Sequence, residues 1–168
     1  MKTLYLATII MLSMMLSAVA QNSKKEEKKR QKEEQYQAVL NLVASGKFDF
    51  FARKANTQKG RQVDLTTRGN YLRIDGESAS ADMPYFGRAF SAGYSNSDGG
   101  INFDGQMEEH EVEQNDKKQR VLIKFKVRSP DDTFSCALTI YSIQSATLSV
   151  TSNKRQAISY NGEMTDAK

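Results

Sequence analysis

The chain has 168 residues, a formal net charge of +4, two prolines, one histidine and one cysteine. That length suits one domain with short appendages, and a single cysteine excludes an intrachain disulfide. Of 24 basic and 20 acidic residues, Lys2 lies in an apolar leader, and six basic and four acidic residues crowd positions 24–34. The rest is close to neutral, without the clustered cations and interleaved aromatics of a phosphate-backbone groove, so nucleic acid is not an expected partner.

Met1-Lys2-Thr3 is followed by an apolar run from Leu4 to Leu16, broken only by Thr8 and Ser13, and then by Ser17-Ala18-Val19-Ala20. A positive start, a short apolar stretch and small residues at the end predict a secretory signal peptide over 1–20, cut after Ala20. The run is too short for a membrane span. No cysteine follows the cut, which closes the acylated-lipoprotein route. The expected address is the periplasm, the cell envelope or the exterior, and no transmembrane segment is expected in the mature chain.

Residues 21–46 read as a helix. Residues 21–34 are charge and amide, with Glu26 and Arg30 at the favourable i, i+4 spacing, and predict a solvated helical spacer. Tyr36, Val39, Leu40 and Val43 then form one apolar stripe that docks on a core, and Gly46 ends the helix. A single β-rich domain is expected over 35–168.

After Lys47 the apolar period changes from 3.6 to 2. Phe48, Phe50 and Ala52 alternate, followed by Val63 and Leu65, Leu72 and Ile74, and Ile101 and Phe103. Val121, Ile123, Phe125 and Val127 take one face of a strand while Lys124, Lys126 and Arg128 take the other. A turn at Ser129-Pro130-Asp131-Asp132 returns the chain along Phe134 to Ile140, and a second hairpin joins Leu148 and Val150 to Ile158 and Tyr160. About eight or nine short strands predict a mainly β (α+β) fold: an antiparallel β-sandwich or open barrel with one N-terminal helix. If Asn115-Asp116 is a two-residue turn, Glu113 faces Lys118 and Glu111 faces Arg120, making Met107–Glu113 the acidic partner of a basic strand.

Catalytic sets are scarce. His110, in Glu108-Glu109-His110-Glu111, has too few companions for a zinc site and reads as a strand histidine. Cys136 shares a face with Phe134, Leu138 and Ile140, which predicts a buried, inert thiol. No Gly-x-Ser-x-Gly elbow or glycine-rich phosphate loop occurs. No catalytic residue, metal site or cofactor is therefore expected. Gly93 to Gly100 is rich in oxygen donors, but Tyr94 and Gly105 occupy the anchor positions of a calcium loop, so a flexible turn is the simpler reading. The unusual apolar loop is Asp82-Met83-Pro84-Tyr85-Phe86-Gly87-Arg88. It serves either to plug one end of the domain or to present an aromatic lip to a glycan, peptide or partner. The contact candidates are Tyr85, Phe86 and Arg88, with Tyr94 from the neighbouring loop.

Several stretches carry a resemblance: the Lys/Glu-rich lead into a helix, Phe48-Asp49-Phe50, Tyr71-Leu72-Arg73-Ile74, Met83-Pro84-Tyr85-Phe86-Gly87-Arg88, Gly100-Ile101-Asn102-Phe103 and Ile158-Ser159-Tyr160-Asn161-Gly162. Together they resemble the exported Bacteroidetes domain-of-unknown-function family 4251 over nearly all of the mature chain. The resemblance implies an envelope location and a compact β-rich fold. It implies no catalytic residue, because that family has no assigned activity. The expected function is a non-enzymatic exported module binding an unknown envelope ligand or protein. An assembly component docking through its N-terminal helix, or a hydrolase of unfamiliar type, are the alternatives.

Overall fold

The computed structural model describes residues 24–65, 70–87, 100–130 and 132–167. The apolar leader, Arg88, Tyr94 and most of the Gly93–Gly100 loop lie outside them. Contacts divide the chain into two units, Met1–Gln35 and Tyr36–Lys168. Helix α1 runs over 24–44, and its residues 24–35 are all exposed. This stretch has no apolar face to bury, and Arg30 meets Glu34 at 3.4 Å across one turn, an exposed pair worth a few tenths of a kcal/mol at about the i, i+4 norm. None of the helices among the described residues is long and apolar enough to cross a membrane.

The unit from Tyr36 onward opens with the apolar half of α1. Tyr36, Val39 and Leu42 are buried, and Leu40 and Val43 are partly buried beside them. The stripe thus rotates slightly from the expected one, with Leu42 turned into the core. Gly46 ends the helix with φ of 68°, the left-handed geometry that glycine adopts without a Cβ penalty.

Nine strands follow among the described residues: β1 (Lys47–Thr57), β2 (Gln62–Asp64), β3 (Tyr71–Asp75), β4 (Ser78–Met83), β5 (Ile101–Asn115), β6 (Arg120–Arg128), β7 (Thr133–Ser142), β8 (Ser145–Ser152) and β9 (Ile158–Asp166). Every pairing is antiparallel, from β1 to β3 and onward in order to β9, and β9 pairs back onto β1. The sheet closes into an eight-stranded barrel. β2 is the extra strand, added to the far half of β1 through Lys54, Ala55 and Asn56. The expectation of a sandwich or open barrel is therefore corrected to a closed one, while the mainly β, one-helix reading stands.

The reason lies at the seam. β1 takes one extra residue between Ala52 and Lys54 where it faces Gly162 and Asn161, a bulge that bends the strand and tightens closure. A Cβ at position 162 would overlap the carbonyl oxygen of Phe51, so glycine lets β9 approach β1. No hydrophobic alternation reports a pairing between the first and last strands.

Alternation does report the interior. Phe48, Phe50, Leu72, Ile74, Ile101, Phe103, Ile123, Phe125, Leu138, Leu148 and Tyr160 all point inward and are buried, since an eight-stranded barrel is just wide enough to be filled by side chains. The one buried charged side chain among the described residues is Asp49 on β1, 3 % exposed. Arg73 on β3, its cross-strand partner, grips it with Nε and Nη2 each at 2.8 Å from a carboxylate oxygen. That fork satisfies the buried charge and holds Arg73 protonated well above its ordinary range.

Candidate functional site

The barrel's two ends are closed differently. At the end where β1 begins, the apolar half of α1 covers the core, and Tyr36 Oη–H donates to Asp116 Oδ1 in the β5–β6 turn at 2.8 Å. A groove of about 460 Å³ lies beside the helix, lined by Ala38, Asn41, Leu42, Ile143, Met164, Thr165 and Asp166.

The opposite end carries the long β4–β5 connection, the β6–β7 turn and the β8–β9 turn. Here the sequence Pro84-Tyr85-Phe86 does its work. Tyr160, wholly buried, donates its Oη–H to the carbonyl of Pro84 at 2.8 Å. Tyr85 is half-buried against the core and donates to the carbonyl of Gln156 at 3.0 Å. Arg155 stacks its guanidinium over the Tyr85 ring, 5.5 Å from the centroid, and also donates to the carbonyl of Gly100. Burial pushes the Tyr85 phenol up from its ordinary pKa, against the opposing effects of the Gln156 hydrogen bond and Arg155. Burial raises that of Tyr160 further. Both phenols remain neutral donors through the physiological range.

Of the four contact candidates, Tyr85 packs against the core and is hydrogen-bonded, whereas Phe86, the next residue, is exposed. Phe86 is 41 % exposed, while its neighbour is fixed on two sides. Gly87 sits so close to Tyr85 that a Cβ there would overlap the phenol. Arg88 and Tyr94 lie outside the described residues. Sequence reasoning missed Arg155, Gln156 and Tyr160 as the anchors of this loop. The only signal available was a half-polar turn, 152–157, of no special composition.

Beside this end, on the outer wall, lies a polar groove of about 290 Å³. It is lined by Glu108 and Glu109, then Lys126 and Arg128, then Thr133 and Ser135, and then Thr151, Ser152 and Asn153. Register explains the assembly, because Glu108, Lys126, Ser135 and Thr151 are successive partners across β5, β6, β7 and β8. A bulge between Glu108 and Glu111 adds one residue to β5, and Glu109 there adopts φ of 51°. Left-handed geometry costs a non-glycine residue about 1 kcal/mol. The bulge turns Glu109 onto Lys126 at 2.6 Å, while Glu108 reaches Arg128 at 2.9 Å.

The acid–base strand pair expected from sequence is thus present in a different register. Glu111 faces Lys124, not Arg120, because the turn spans Asp116 to Gln119 and the paired ends are Asn115 and Arg120. Lys124 contacts both Glu111 and Glu113, and the Glu113 hydrogen bond chiefly raises its pKa. His110 is exposed beside the bulge, whereas Cys136 points into the core with its thiol pushed up to about 12 by burial. They form no pair, and no group of three or more metal-ligating side chains occurs among the described residues.

No curated protein matches this chain. A crystal structure of a DUF4251 family protein from Bacteroides eggerthii superposes with a TM-score of 0.60 at 15 % identity, covering 79 % of this chain and 87 % of that one. At that identity the likeness concerns the fold alone. The family model described as Domain of unknown function (DUF4251) matches residues 30–164, a span running from the charged helix through the closing glycine of the seam, and the chain belongs to that family.

Proposed function

We propose that this protein is an exported, non-enzymatic barrel module that binds a ligand or partner in the cell envelope through the loop-bearing end of the barrel, with Phe86 as its leading contact and Arg88 and Tyr94 on the same connection. The observation that carries the reading is the contrast between adjacent aromatics. Tyr85 is pinned by Gln156 and Arg155, and Phe86 beside it keeps a large apolar ring in water. An exposed aromatic on an anchored backbone loses little entropy on binding and offers much area to a partner.

Export is supported by the charged, apolar and small-residue order of positions 1–20. The non-enzymatic reading is supported by Cys136, shut in the core. It is also supported by Glu108 and Glu109, each held by its own cation on the groove wall. Two carboxylates that divide acid and base roles need environments that push their pKa values apart.

The test places a photoreactive phenylalanine analogue at position 86, with the exposed Tyr141 of β7 near the opposite end as control. Irradiation of the intact envelope is expected to give adducts from position 86 and none from position 141. Equal labelling from both, or none from 86, overturns the contact surface. Cell fractionation with and without residues 1–20 checks export separately, and an unchanged distribution rejects it.

A further inference from the structure

We infer that the ligand of this end is an uncharged glycan chain, with a sugar face stacked on Phe86 and its hydroxyls seated in the polar groove between Glu109 and Asn153. This rests on the reading of the loop-bearing end as the contact surface, and adds the chemistry of what it takes.

The groove lining selects by elimination. It holds two carboxylates and two cations, and these are spent on one another across the wall: Lys126 on Glu109 at 2.6 Å and Arg128 on Glu108 at 2.9 Å. A phosphate or polyanion would have to share each cation with a carboxylate that repels it, and a polycation would meet the reverse. An acyl chain or apolar peptide would bury itself against charged, hydroxyl and amide side chains with no apolar side chain among them, leaving polar groups stripped of water at a cost of about 1–3 kcal/mol each.

A neutral polyol fits the same lining. The ion-paired heads remain donors and acceptors for hydroxyls. Thr133, Ser135 and Thr151 supply hydroxyls that both donate and accept, and Asn153 supplies an amide that does the same. The row crosses four strands, β5 to β8, so at about 4.8 Å per strand spacing the groove is about 14 Å long, suited to an extended oligomer more than to a single small molecule.

The missing element of such a site, an apolar face for the sugar ring, falls to the exposed Phe86 of the loop-bearing end. Asn153 ends the groove, and Gln156, three residues on, holds Tyr85 and with it Phe86. Three residues of chain span at most about 11 Å. The bulge at Glu109 fits the same account. It spends left-handed backbone on a charged residue, and thereby sets a carboxylate at the groove's rim.

The experiment titrates the full chain with uncharged trisaccharides of glucose, mannose, galactose, xylose and N-acetylglucosamine, following backbone amide shifts. At least one is expected to move the amides of Lys126, Ser135, Thr151 and Asn153. Phe86→Ala and Thr151→Val are each expected to weaken it about tenfold, the loss of one good contact. Affinity should hold between about 50 mM and about 500 mM salt, because no net charge is matched. No shift from any of the five, or a steep salt dependence, overturns the glycan. If position 86 still gives adducts while no sugar shifts those amides, the glycan falls and the contact surface survives. If neither occurs, both fall.

Discussion

The two ends of this barrel solve the same problem with different materials. At one end a regular element does it: Tyr36, Val39 and Leu42 of α1 bury one stripe over the core. At the other an irregular connection does it, and there the seal is polar at its edges. Tyr160 and Tyr85 donate hydroxyl hydrogen bonds to the carbonyls of Pro84 and Gln156. A helix lid satisfies most of its own backbone and relies chiefly on apolar contact, with the Tyr36–Asp116 hydrogen bond beside it. A loop lid must find partners for its carbonyls, and in return it can hold one side chain in and the next one out. That is why the candidate site sits at the loop end.

The largest effect should come from the wall that both ends share. Gly162→Ala places a methyl group on the Phe51 carbonyl, and backbone cannot yield as a side chain does. Chemical denaturation is expected to show a loss of about 3 kcal/mol, felt at both ends. A neutral result would mean that β1 and β9 are not so close, and the closed barrel would be in doubt.

At the helix end, Leu42→Ala removes a side chain buried to 6 % exposure and should cost about 2 kcal/mol in the same assay. Binding at the loop end should be unaffected once the protein is folded. Loss of binding in a folded Leu42→Ala protein would show that the ends do not act independently.

Much of this wall was legible in residues. Phe48, Phe50, Val121 to Val127 and Phe134 to Ile140 alternate cleanly because one face is core and the other water. The β6–β7 and β8–β9 hairpins and the buried Cys136 follow from that alternation, and the helix follows from the 3.6-residue stripe of Tyr36, Val39, Leu40 and Val43. Closure was not legible, because the pairing of β1 with β9 joins residues more than a hundred positions apart, and its marker is a glycine that reads like any other. β4 went unseen because Ala79 and Ala81, small inward residues, give little hydrophobic contrast. The β5–β6 register slipped because Asn115-Asp116 looks like a tight turn, whereas Gln119 takes φ of 48° and lengthens it. At the candidate site, Pro84 to Gly87 announced itself by composition. Arg155, Gln156 and the groove across β5 to β8 did not, since only the sheet brings them together.

A pH titration separates core from loop end. The Cys136 thiol rises from 9.0 to about 12 through burial. Between those values the unfolded chain has lost its proton and the folded chain keeps it, so stability falls as pH rises. The slope from this group should be on the order of 1 kcal/mol per pH unit. Cys136→Ala should remove that share and leave the part due to Tyr85 and Tyr160. An unchanged alkaline slope would place the thiol in contact with water.

Tyr160→Phe makes a smaller change. It deletes one hydroxyl, leaves the Pro84 carbonyl without its donor, and should cost about 1 kcal/mol. The loss should centre on the β4–β5 connection, seen as faster amide exchange there and unchanged exchange at α1.

The central claim is that two adjacent aromatics have opposite duties, Tyr85 sealing the barrel and Phe86 left free for contact. Thermal unfolding of Tyr85→Ala beside Phe86→Ala tests it most directly. The account predicts a clear drop in Tm for Tyr85→Ala and a Tm close to that of the parent for Phe86→Ala. An equal drop in both would make Phe86 part of the seal and contradict the account.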